Sequence, residues 1–244
     1  MERAPDAVIQ ELTPTEVLRA AINLGNPVLA QPGPAGGEPK GISVDLAREL
    51  ARRLGVRVVF ATYDAAGKVV DANRFGAWDV AFLAIDPLRA KEILFTSPYV
   101  IIEGTYLVRD AAPFRAVGEL DRPGVRIAVG AGAAYDLYLS RTLQHAELVR
   151  SATSAEALRQ FVAEGLDAAA GVRQPLVKFA EAQPGLRVLD GRFTAIEQAM
   201  ATPIGRTSAH AYLKSFIEEM KASGFVAGAL DASGQRDATV APPA

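Results

Sequence analysis

An unbroken apolar run, Val80 to Ile85, stops abruptly at Asp86-Pro87, and this punctuation constrains the fold more than any other feature. The run is too short for a buried helix and reads as a strand covered on both faces. Such strands belong to parallel sheets flanked by helices, so an α/β chain is expected. Asp86 suits the cap of a new helical turn and Pro87 its first position. That turn carries Arg89 to the mouth of the strand, where open α/β sheets bind ligands. Arg89 is therefore the candidate ligand anchor. Arginines on a first turn are commonly solvated or paired with a neighbouring acid such as Glu92, so spacing alone leaves both readings open.

The length of 244 residues, half of them apolar, allows one large core or two moderate ones, and two lobes are plausible. A formal net charge of -2 and a pI of about 5.8 argue against nucleic acid and anionic membrane surfaces, which want a basic excess. A small uncharged or singly charged partner fits better. There is no cysteine, so disulfides, thiolate nucleophiles and thiolate metal sites are excluded. Met1 to Asp6 carries no apolar signal core, and no stretch approaches the ~20 apolar residues of a membrane span. Either a signal has been removed or the protein is not exported.

Along the chain, Pro5 to Thr15 is expected as a peripheral arm, with a short helix opening at Thr13. Leu18 to Asn23 reads as the first strand, followed by a Gly/Pro-rich loop from Gln31 to Lys40. Gly41 to Gly55 is the clearest helix: Ser43 caps it, Leu46, Leu50 and Leu54 share one stripe, and Gly55 stops it. Val56 to Ala61 is a second strand. Gly104 to Val108 is a further strand, with a connector at Arg109 to Pro113. Ile127 to Val129 leads through Gly130 to Ala134 into a helix ending near Leu143. Thr153-Ser154-Ala155-Glu156 is a capping box. Leu166 to Val172 is a buried strand, Gln174 to Ala182 a helix and Leu186 to Leu189 another strand. Phe193 to Thr202 is expected to return to the first lobe. Ala209 to Ser223 is a final amphipathic helix, and Asp231 to Ala244 a loose tail.

Several of these segments resemble the extracellular solute-binding proteins of family 3. Their pattern of an apolar strand, "TPxRA" and "xxFSxPY" is met by Pro87, Arg89, Ala90, Phe95, Ser97, Pro98 and Tyr99, with Asp86 in place of the threonine. The helix "GxSVDLAxELAxRLGV" resembles the family's "GFDVDLAxALAxRLG", and Val117 to Val129 resembles "sleDLkGkkVgV", which opens its second lobe. The resemblance covers roughly Leu18 to Leu230. It implies a two-lobed type 2 periplasmic-binding-protein fold, each lobe a mostly parallel sheet flanked by helices and joined by two crossing hinge segments. Lobe 1 would be 1–108 plus 195–244, and lobe 2 109–194.

The resemblance also implies a function: a monomeric periplasmic binding component that hands a small carboxylate-bearing solute to an ABC permease, without catalysis, cofactor or metal. Arg89 would hold the carboxylate, aided by N–H groups of Gly132, Ala133 and Ala134, where the family's "GSTxExYL" hydroxyls are absent. Asn26, Phe82, Ala84, Arg173 and Gln174 occupy positions that would set specificity. The family's aspartate for an α-ammonium falls on Val172, and its "YPPF" aromatic on Asn26-Pro27-Val28-Leu29. The carboxylate anchor is kept, while the amino-acid set is largely gone.

Glu103 and Glu197 lie on the crossing segments. They could meet a ligand ammonium or be plain surface acids. In an enzyme resembling cyclohexadienyl dehydratases, one of them would act as an acid. A non-exported sensing module is a third reading. His145 and His210 have no partner set for catalysis or metal binding and read as ordinary surface residues. Trp78, Phe95 and Tyr99 read as core packing.

Overall fold

The computed structural model describes residues 4–235 and 238–244. The first part of the chain contains α1 (Asp6–Leu12), β1 (Val17–Asn23), α2 (Ile42–Leu54), β2 (Arg57–Tyr63), α3 (Ala66–Asn73), β3 (Val80–Ala84) and β4 (Ile93–Arg109). The middle contains β5 (Arg126–Gly130), α4 (Ala134–Thr142), β6 (Glu147–Ser151), α5 (Ser154–Ala163), β7 (Ala168–Val172), α6 (Arg173–Glu181), β8 (Leu186–Val188) and β9 (Thr194–Pro203). The end contains α7 (Thr207–Ala222), α8 (Phe225–Ala232) and β10 (Thr239–Val240). Contacts divide the chain into two compact units: one runs to Ile101 and resumes at Glu197, the other is Ile102–Ile196. Both divisions fall inside strands, β4 and β9.

In the first unit, β1 pairs in parallel with β2 and β3, and β9 runs antiparallel to β3. All of β3 is buried, as its apolar run requires. Trp78, at the strand's entry, donates its indole N–H to the Val69 carbonyl at 2.9 Å and packs with Leu83 and Ile93. Helix α2 buries Leu46, Leu50 and Leu54, and Gly55 ends it in the left-handed region at φ 71°. Its cap is Gly41 rather than Ser43. Gly41 has φ 114°, and a Cβ there would lie 2.6 Å from the Leu29 carbonyl oxygen, so the turn needs glycine. Ser43 lies inside the helix, buried, with its hydroxyl 3.3 Å from that of Tyr99.

Three other expectations are corrected. The N-terminal helix spans Asp6–Leu12, ahead of Thr13, because Val8 and Leu12 find burial there and Glu11 accepts the Ala209 N–H at 2.7 Å. The strand expected at Gly104 to Val108 is the second half of the 17-residue β4. Of the expected loose tail, Asp231 and Ala232 end helix α8 and Thr239–Val240 form β10, which pairs antiparallel with β4 through Thr239↔Ile101 and Val240↔Val100, while residues 236–237 lie outside the described residues.

In the second unit, β5 pairs in parallel with β6 and β7, while β4 runs antiparallel to β7 and β8. Leu107, Phe161, Leu166 and Leu176 form its core. The capping box forms as expected: the Thr153 hydroxyl accepts the Glu156 N–H and the Glu156 carboxylate accepts the Thr153 N–H, both at 3.1 Å. Strand β6 carried no sequence signal strong enough to anticipate.

Buried charge ties the first unit together. Asp79 is fully buried and takes Nε and Nη2 of Arg19 at 2.9 and 2.8 Å and Nη1 of Arg206 at 2.9 Å. Removing the carboxylate's charge would strand two partly buried guanidiniums. Asp79→Asn should therefore cost about 3 kcal/mol in urea unfolding. A second network joins helices: Arg53 of α2 grips Glu219 of α7 at 2.6 and 2.7 Å and also bonds Glu49. Hydrogen bonds from Arg52 and then Arg53 hold Glu49 down at about 2. The stability this adds is complete above the ordinary carboxylate value of 4.5 and is lost as pH falls from there toward 2. Glu49→Gln should flatten that stretch of the stability–pH curve.

Candidate functional site

The first unit places its candidate residues at the C-terminal end of β3. Ile85 donates its N–H to the Glu197 carbonyl at 2.8 Å, which fixes where the strand stops. Asp86 then builds the turn: its Oδ1 accepts the Leu88 N–H at 2.8 Å and its carbonyl the Ala90 N–H at 2.9 Å. Asp86 therefore shapes the turn but does not cap a helix: the short 3-10 helix that follows, Arg89–Lys91, has Leu88 at its N-cap and no side-chain cap. The turn draws Arg89 inward, to 4% exposure, with Nη1 donating to the Ala84 carbonyl at 3.0 Å. Burial pulls the guanidinium down to about 10, while the nearby Asp86 carboxylate acts in the opposite sense. It stays charged at neutral pH. A guanidinium has five donors in a fixed fork, suited to bidentate capture of a carboxylate.

Around it, Phe82 is buried and meets the Tyr99 ring edge-on, with centroids 6.3 Å apart. Burial raises the Tyr99 phenol well above its ordinary range. Asn26 is occupied locally: its Oδ1 accepts the Val28 N–H at 3.3 Å and its carbonyl those of Leu29 and Ala30. The Asn26 side chain thus shapes its own turn rather than standing free for a ligand.

In the second unit, the parallel register Ile127↔Ala168 and Ala128↔Ala169 sets the ends of β5 and β7 side by side. The turns opening α4 and α6 consequently share one edge of the sheet. Gly132, at φ 70°, donates its N–H to Asp136 at 2.8 Å, and Ala133 donates to the Gly130 carbonyl at 3.1 Å. Two of the three N–H groups expected to receive a carboxylate therefore have internal acceptors. Ala134 opens the helix, where the leading N–H groups point along the axis.

Arg173 and Glu103 were expected to meet a ligand separately and instead meet each other. Arg173 donates Nε to Glu103 at 2.7 Å and its other nitrogens to the carbonyls of Leu189 and Gly191. Arg192 takes the second Glu103 oxygen at 3.3 Å. The pairing spans 70 positions and left no local trace. Gln174 lies in the first turn of α6, with its side-chain Oε1 buried and accepting no hydrogen bond. Sequence reasoning also missed an aromatic group: Phe193 packs on Tyr106 at 4.6 Å and stacks on Tyr138 at 5.9 Å. Gly104 makes room for it, since a Cβ there would lie 2.9 Å from the Phe193 ring.

Glu197 is exposed on β9, and the His210 ring nitrogen bonds the Phe95 carbonyl at 2.7 Å. Among the described residues no group of three or more His, Cys, Asp and Glu side chains could hold a metal ion. No helix among them is long and apolar enough to cross a membrane.

The family of bacterial extracellular solute-binding proteins, family 3, matches residues 6–231. No curated protein sequence matches. Among solved structures, a mutant of ArgBP from T. maritima is 22% identical with a TM-score of 0.79, covering 93% of this chain and 99% of its own. An amino acid ABC transporter substrate-binding protein from Streptococcus pneumoniae, bound to L-arginine, is 18% identical with a TM-score of 0.78, covering 96% and 99%. The ancestral amino acid-binding protein AncCDT-1, described as a precursor of cyclohexadienyl dehydratase, is 23% identical with a TM-score of 0.77, covering 92% and 97%. These likenesses bear out the α/β, type 2 periplasmic-binding-protein fold.

Because Arg173 serves three acceptors in fork geometry, lysine cannot replace it. Arg173→Lys should cost about 1–2 kcal/mol, and Glu103→Gln, at a pair partly open to solvent, less than about 1 kcal/mol. Denaturant unfolding of the two variants checks this order.

Proposed function

The chain belongs to the bacterial extracellular solute-binding proteins of family 3, and from that premise we propose that it captures a small carboxylate-bearing organic solute for an ABC importer. Arg89 carries the reading. It presents a charged fork at 4% exposure at the end of a fully buried strand, and a guanidinium suits bidentate capture of a carboxylate. Its place at the carboxyl end of β3 is where α/β sheets meet their ligands. Phe82 and Ala84 lie on the strand leading to it. In this reading the protein is a monomer working outside the cytoplasmic membrane with a permease partner. Its lobes are 1–108 with 195–244, and 109–194.

Catalysis is the weaker reading, though the likeness to a dehydratase precursor keeps it testable. It needs Glu103 or Glu197 as an acid. Both oxygens of Glu103 are engaged by arginines, so that role would fall to the exposed Glu197.

A thermal-shift screen of amino acids and organic acids, followed by calorimetry on Arg89→Ala and Arg89→Lys, tests the proposal. Arg89→Ala should weaken a carboxylate solute by about 2–5 kcal/mol, and Arg89→Lys should recover only part of that. Undiminished binding by Arg89→Ala would overturn the reading, and turnover lost in Glu197→Gln with binding retained would favour the enzyme.

A further inference from the structure

Helices α2 and α8 of the first unit leave an open cavity of about 510 Å3 between them, with Asp45, Arg48, Glu49 and Arg52 along its α2 wall and Phe225 and Gly228 on its α8 face. Its size is that of a small-molecule site. Arg48, Glu49 and Arg52 are already answered by the protein: Arg48 sends Nη2 to Glu38 at 2.8 Å and lies over the Phe60 ring at 5.4 Å, while Glu49 takes Arg52 at 2.7 Å and Arg53 at 2.8 Å. Asp45 differs. The cation paired with its carboxylate is Arg48, at 3.6 Å, too long for a hydrogen bond. Burial raises the Asp45 carboxyl above its ordinary value, against the pull of Arg48. The dipole of α2 explains why an acid suits this first turn, but it supplies no cation. Gly228 is the second observation. It lies exposed inside α8, where glycine is the least favourable residue short of proline, and a Cβ there would meet no atom within 4 Å. Neither close packing nor a left-handed φ requires it. A bare backbone at this position keeps the cavity open beside Asp45.

We infer that this cavity is a binding site for an organic cation with an apolar body, whose ammonium hydrogen-bonds Asp45 while its hydrocarbon lies on Phe225 and over Gly228. A carboxylate left with one long ion contact has lone pairs for N–H donors, and a charge-assisted bond there is a strong one. The Phe225 ring suits both parts of such a ligand, hydrocarbon by burial and cation by its π-face. An anion gains less, because Glu38 and Glu49 already neutralise Arg48 and Arg52. The cavity lies wholly within the first unit and Arg89 is not among its walls, so this inference stands independently of the carboxylate reading.

The test is an NMR titration of the isotope-labelled full chain with three probes: phenethylamine, phenethyl alcohol, which has the same body without the charge, and methylamine, which has the charge without the body. Phenethylamine should bind at least about tenfold tighter than either of the others, with its shifts concentrated in α2 and α8. Asp45→Asn should reduce phenethylamine to the level of the alcohol. Gly228→Leu, which fills the space, should weaken both aromatic probes. Gly228→Ala should raise the melting temperature, since the fold itself has no need of glycine there. The inference is overturned if phenethylamine does not bind, if the alcohol binds equally well, if Asp45→Asn leaves the amine's affinity unchanged, or if the shifts fall outside these two helices.

Discussion

A five-residue buried strand carries an ionised group at each end, and the first unit is built around that arrangement. At its entry Asp79 is fully buried, and Arg19 and Arg206 answer it from β1 and from the segment leading to α7. At its exit Arg89 is almost as deeply buried, held against the strand's own Ala84 carbonyl and within the field of Asp86. The two ends obey one rule, that charge removed from water needs compensation, but meet it differently. The entry is closed by two charges of opposite sign from elsewhere in the unit. At the exit, the Ala84 carbonyl and the Asp86 carboxylate both come from the turn that carries Arg89.

The second unit settles its charges internally as well. Glu103 lies between Arg173 and Arg192, and Asp136 between the Gly132 N–H and Arg150. Positions that resemblance would assign to a ligand are thus partly spent on the protein's own loops. A substituted site does not simply lose contacts. At the start of α6 this chain has Val172, an arginine engaged by Glu103 and a glutamine whose buried amide oxygen accepts no hydrogen bond.

Some of this was legible residue by residue. The capping box at Thr153, the stripe of α2 and the stop at Asp86-Pro87 depend on neighbours within one or two turns, so local rules reach them. Ser43 shows the limit: it has the side chain of a cap, but the chain enters α2 through the left-handed Gly41, and the serine turns to Tyr99 instead. The last residues read as a loose tail because β10 is only two residues long and has no pattern of its own; β4 supplies its reason to be a strand.

The sequence by itself determined the alternation of strands and helices, the buried character of β3 and the place of Arg89 at its end, because each follows from periodicity and turn chemistry within a short window. Tertiary structure decided which charges meet. Glu103 and Arg173, Arg19 and Asp79, and Arg53 and Glu219 are separated by 70, 60 and 166 positions, respectively. Their pairing depends on the register of strands and the packing of helices, and no local window encodes the distance between two side chains that only the fold brings together.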